Sequence, residues 1–156
     1  DTAYSAKQEN DATAMMCAAF HNNELYIKDV SAVRMEFPEL IKEIQRFTLS
    51  NGYSNRSRIY VEPKASGKSI VQMLKRSTGL NILEDKAPVQ DKISRASGVS
   101  AFIEAGRVSL IDGRYIDTFL NELKAFPNSK HDDMVDCLVM AIERNVNRRK
   151  SIRAIA

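Results

Sequence analysis

Two apolar runs separated by only four polar residues dictate how this chain must begin to fold. Residues 12–20 (Ala-Thr-Ala-Met-Met-Cys-Ala-Ala-Phe) stop at His21-Asn22-Asn23-Glu24, and Leu25-Tyr26-Ile27-Lys28-Asp29-Val30 resumes the apolar pattern. A polar turn this short between two strand-like runs gives a hairpin. The period then changes. Phe37, Leu40, Ile41, Ile44 and Phe47 follow helical spacing until Asn51-Gly52 stops the helix. Ser57–Glu62 reads as a strand ending in an acid, and a helix over about 66–78 ends near Gly79. A short strand at Leu80–Leu83, a long helix over 88–105 and a short extra strand at Arg107–Ile111 follow, with helices at about 115–125 and 132–148. A hairpin followed by alternating helix and strand implies an α/β fold: a mixed sheet with helices packed on it.

The chain's 156 residues, 44% hydrophobic and 28% charged, suit one soluble domain with one core, so 1–156 is read as a single domain. No apolar run is long enough to span a bilayer and no signal-peptide pattern opens the chain, so a cytosolic, membrane-free protein is expected. The sequence opens on Asp1 without an initiator Met, and the expectation is a fragment of a longer protein. Cys17 and Cys137 sit in apolar stretches without metal-ligand spacing, which points to buried thiols rather than a zinc site or disulfide. A formal charge of +3 is too small to demand a polyanionic partner, although the bases are unevenly placed.

The densest chemistry lies in His131-Asp132-Asp133-Met134-Val135-Asp136, at the start of the final expected helix. At about 100° per residue, Asp132, Asp133 and Asp136 share an arc of roughly 100°, while Met134, Leu138, Ala141 and Ile142 face the other way. Crowded carboxylates either raise a pKa or recruit a metal, and oxygen ligands suit hard ions such as magnesium or manganese. The simpler explanation is that acids in a first turn cap free N–H groups and favour the helix dipole. Glu62 at a strand end and Asp1 before the hairpin are two further acids on rigid supports. If Asp1 lies on a central strand beside the one carrying Glu62, these two and an acid of the last helix converge. Such a triad holds two cations about 3.5–4 Å apart for phosphodiester hydrolysis.

Taken in order, Asp1-Thr2-Ala3, Asp11-Ala12-Thr13-Ala14, Ile59-Tyr60-Val61-Glu62-Pro63, Asp91-Lys92-Ile93-Ser94-Arg95-Ala96 and Phe126-Pro127 leading into His131–Asp136 form a specific series. In this series the chain resembles the C-terminal nuclease domain of the large terminase subunit of tailed bacteriophages. The resemblance covers nearly the whole chain. It implies an RNase H-like fold, with three antiparallel strands extended by parallel ones, and a two-metal endonuclease that cuts double-stranded DNA with little sequence preference. The ions implied are Mg2+ or Mn2+. Asp1, Glu62 and Asp133 match the family's three catalytic acids; whether Asp132 or Asp136 also reaches a metal stays open. The implied partners are double-stranded DNA, the terminase ATPase domain, the small terminase subunit and the portal, and the implied location is the cytoplasm of the infected bacterial host.

The phosphate-binding loop of such an ATPase is absent from this sequence. Ala65-Ser66-Gly67-Lys68-Ser69 imitates its end, but Glu62 stands where the loop needs Gly and Pro63 removes an N–H donor. Gly67-Lys68-Ser69 is instead expected to open the helix after the acid-bearing strand, where N–H groups and Lys68 meet a DNA phosphate. Lys92 and Arg95 belong to a motif that the resemblance places near the active site, which suggests DNA contact or transition-state stabilisation. His131 is a candidate accessory residue that orients a ligand or tunes a water. Five of the residues 144–153 are basic (Arg144, Arg148, Arg149, Lys150 and Arg153), giving a tail over about 144–156 that suits DNA or the packaging assembly. Two alternatives remain: another RNase H-like nuclease, such as a junction resolvase or transposase-like domain, or a docking module without catalysis.

Overall fold

Asn22 and Asn23 adopt positive φ angles of 47° and 69°, the backbone that a two-residue hairpin turn requires and that Asn tolerates. They join β1 (Thr13–His21) to β2 (Glu24–Val33) in an antiparallel pair whose register runs from Thr13 opposite Val33 to His21 opposite Glu24, with an irregularity between Cys17 and Ala18. The computed structural model describes residues 12–62, 67–86 and 88–153, the side chains of 67–69 and 147–153 excepted. Beyond the hairpin come α1 (Phe37–Ser50), β3 (Ile59–Val61), α2 (Gly67–Ser77), β4 (Ile82–Glu84), α3 (Lys92–Glu104), β5 (Val108–Leu110), α4 (Ile116–Ala125) and α5 (Asp133–Arg153).

The described strands form two groups. β5 lies parallel to β2, pairing Val108–Leu110 with Leu25–Ile27, which makes β1-β2-β5 a mixed sheet; β3 and β4 form a parallel pair. This mixed α/β architecture with five flanking helices is the expected one. Its boundaries follow local chemistry. α1 carries Pro near its first position, and Gly52 beyond its end takes a φ of 82°, which glycine reaches without strain. α3 begins at Lys92, not at 88, because Asp91 caps it: its carboxylate accepts from the Ser94 backbone N–H at 3.0 Å and the Ser94 hydroxyl at 2.6 Å. α5 runs on to Arg153, past the expected end near 148, since neither Gly nor Pro interrupts it.

Two cores hold these elements. Leu40, Ile41, Ile44, Val71, Leu74 and Ile82 close α1 and α2 over β4. The larger core joins the mixed sheet to α3, α4 and α5 through Leu25, Ile27, Val99, Phe119, Leu138 and Ile142. The Tyr115 hydroxyl donates to the Ile27 carbonyl at 2.7 Å, fastening the start of α4 to β2. Cys17 and Cys137 form no disulfide and are half-buried rather than fully buried. No described helix is long and apolar enough to cross a membrane.

Ile142 is 0% exposed, so Ile142→Ala is expected to cost about 2–5 kcal/mol in urea-induced unfolding. A loss below about 1 kcal/mol, the range of a surface substitution, would contradict the seating of α5 in the larger core.

Candidate active site

The apolar stripe of α5, including Met134, Val135, Leu138, Val139 and Ile142, is buried. Seating that stripe turns Asp132, Asp133 and Asp136 outward together at the helix start. One carboxylate oxygen from each lies within 4.8 Å of the other two, and all three residues are half-buried. Helix capping does not account for this crowding. The N–H groups that an acid of this turn would cap are taken from another helix: Glu122 of α4 places Oε1 2.7 Å from the Met134 N–H and 3.3 Å from the Val135 N–H. Burial pushes the Glu122 carboxyl up against the lowering effect of those two donors, and the charges of Asp133 and Asp132 push the same way.

Two cations from the first turn of α3 reach into this acidic face. The Lys92 ammonium lies 2.6 Å from Asp132 Oδ1 and 2.8 Å from Asp136 Oδ2. Partial burial works against its charge, but the two carboxylates outweigh that and hold its pKa above the ordinary lysine value. Arg95 sits one turn further along α3 and is 7% exposed. Its guanidinium donates to Glu143 at 3.0 Å and stands 3.7 Å from Glu62 Oε2. Here too burial opposes the charge, and Glu143, Glu62 and Asp136 keep it protonated. Arg95 therefore ties the end of β3 to the acid-bearing face of α5. Glu62 is linked to that face through Arg95 but is not part of the three-acid set.

Of the remaining sequence candidates, Asp1 and the Lys68 side chain lie outside the described residues. His131 faces Arg34 at the end of β2, with Nε2 3.0 Å from the guanidinium. Arg144 does not belong to a free tail: its guanidinium lies 3.5 Å from the centre of the Tyr60 ring and donates through Nε to Asp85 at 2.8 Å. Two clefts open beside the acids. One, about 370 Å³, is bordered by Glu62, Lys86, Arg95 and Glu143; the other, about 290 Å³, by Lys92, Ile93, Phe126, Pro127 and Asp132. Sequence reasoning missed Glu143 and Glu122. Glu143 follows Asp136 by seven residues, two helical turns along one face, so its place was open to inference. Glu122 gave no such signal, because its partners lie 12 and 13 residues away across a loop.

The donors at α5 fit a hard divalent cation. All are carboxylate oxygens, the ligands that Mg2+ and Mn2+ prefer. Asp136 Oδ2 is buried, and its close neighbour is the Lys92 ammonium at 2.8 Å. Comparison with known families matches residues 1–145 to the terminase RNase H-like domain. No curated protein matches the chain.

If Lys92 neutralises the oxygens that a divalent ion would take, Lys92→Met should lower the melting temperature without metal, and Mn2+ should raise it more than in the wild type. Equal Mn2+-induced shifts in the two proteins, read by differential scanning fluorimetry, would show that ammonium and ion do not share these carboxylates.

Proposed function

The chain belongs to the terminase RNase H-like domain family, and from its nuclease role in packaging we propose a metal-dependent endonuclease that cuts double-stranded DNA with little sequence preference. The observation that carries this is the first turn of α5, where three carboxylates converge while Glu122 of α4 supplies the cap. Asp133, with Asp132 and Asp136 beside it, would hold Mg2+ or Mn2+, and Glu62 and Asp1 would complete a two-metal set. When bound, such ions supply an activated water and stabilise charge on the leaving oxygen of a phosphodiester.

The chain's own residues orient and neutralise. Arg95, buried between Glu143 and Glu62, acts by holding the Glu62 carboxylate toward α5 rather than by reaching DNA. Lys92 is half-exposed at the rim of a cleft, suited to a phosphate, and Lys68 would add a second such contact. Phosphate contacts position a duplex without reading its bases, in keeping with low sequence preference. His131, placed against Arg34, is an accessory residue at the same helix start. The partners are double-stranded DNA, the packaging ATPase domain, the small terminase subunit and the portal, in the cytoplasm of an infected bacterium.

Supercoiled plasmid incubated with Mn2+ or Mg2+ should be nicked and linearised, and chelator should stop the reaction. Asp133→Ala and Glu62→Ala should each lower the rate about 100-fold or more, the scale of losing one electrostatic stabiliser of the transition state. Plain and branched duplexes should be cut alike. Chelator-resistant cleavage, or full activity in either variant, would contradict the assignment.

A further inference from the structure

Near the acidic turn, the Glu122 carboxylate accepts its hydrogen bonds from backbone N–H groups rather than from a cation. It projects from the last two turns of α4, and the residues from Phe126 to Asp132 carry the chain from that helix into α5. Its Oε1 spans two consecutive N–H groups, Met134 at 2.7 Å and Val135 at 3.3 Å. A helix start leaves its first N–H groups without intrahelical partners. Short acids at or next to the N-cap are the usual side chains to satisfy them. In this chain those acids are Asp132 and Asp133. With Glu122 occupying the donors, the two aspartates are spared that task.

We propose that Glu122 is a positioning residue for the nuclease site: by capping α5 from α4, it keeps Asp132 and Asp133 from turning back onto the helix and holds them toward a bound divalent cation. This role rests on the metal-binding reading of the turn. The reach of the side chain matters, not its charge. Glu122→Gln keeps an acceptor oxygen at the same distance; Glu122→Asp keeps the charge but is one methylene too short; Glu122→Ala removes both.

The test is Mn2+ titration by isothermal calorimetry of the wild type, these three variants and Asp133→Ala, with amide exchange at Met134 and Val135 followed by NMR. Glu122→Ala and Glu122→Asp should weaken Mn2+ binding about tenfold, the lower end of what loss of a ligand-orienting partner costs, and speed exchange at both amides. Glu122→Gln should stay near the wild type in both. Wild-type Mn2+ affinity in a folded Glu122→Ala would overturn the proposal. So would the reverse pattern, with Gln impaired and Asp intact, since charge rather than reach would then be responsible. Should Glu122→Ala not fold, the Gln and Asp pair decides on its own. Failure of the metal reading looks different: wild type and Asp133→Ala would then titrate alike, which overturns both claims, whereas failure of the Glu122 role alone leaves those two apart.

Discussion

Like-charge repulsion at the start of α5 is the constraint around which the surrounding structure is arranged. Two unit charges no more than 4.8 Å apart repel by at least about 0.9 kcal/mol in bulk water and about 3.5 kcal/mol at an effective dielectric constant near 20. Asp132, Asp133 and Asp136 make three such pairs. Folding must offset that repulsion, and it does so with the first turn of α3. Lys92 bridges two of the three acids, and Arg95, one turn on, carries a second positive charge into the same region. A divalent ion answers the same repulsion more fully, because it carries twice the charge and accepts several oxygens at once.

The apolar side of α5 is what makes this arrangement rigid. Leu138 and Ile142 are almost wholly buried against the mixed sheet, α3 and α4, and each such side chain contributes about 1.5–3 kcal/mol by leaving water. That burial decides the rotation of the helix and therefore the direction of its acids. Glu122 then ties the first turn to α4, and Arg95 ties β3 to α5. The acidic turn thus has support from three neighbouring elements, of the kind that holds functional groups to close tolerance. The 14% exposure of the Asp136 side chain shows how far this support withdraws a charged group from solvent.

Much of this was legible from residue order. The hairpin followed from the polar turn at 21–24, and the helices from 3.6-residue spacing, because these signals are local. The face shared by Asp132, Asp133 and Asp136 was readable from helical geometry alone. The misses are equally physical. The helix expected from 88 starts at Lys92 because the Asp91–Ser94 cap outweighs continuity of pattern. Arg95 reads in sequence as a base near the active site, for DNA contact or transition-state stabilisation; its burial between Glu143 and Glu62 was not legible there. Arg144 looks like the start of a tail, yet Asp85 and Tyr60 hold it. The surroundings of Arg95 and Arg144 depend on partners 33 or more residues away, which no local pattern encodes.

The central claim is that the acids of the α5 turn bind metal instead of capping their own helix. Anomalous diffraction at the manganese edge, from crystals of the chain grown with duplex DNA and Mn2+, tests it most directly. A peak bounded by Asp133 and its neighbours Asp132 and Asp136 is the predicted result. Duplex bound with Mn2+ located only elsewhere, and these carboxylates folded back onto the α5 N–H groups, would contradict it.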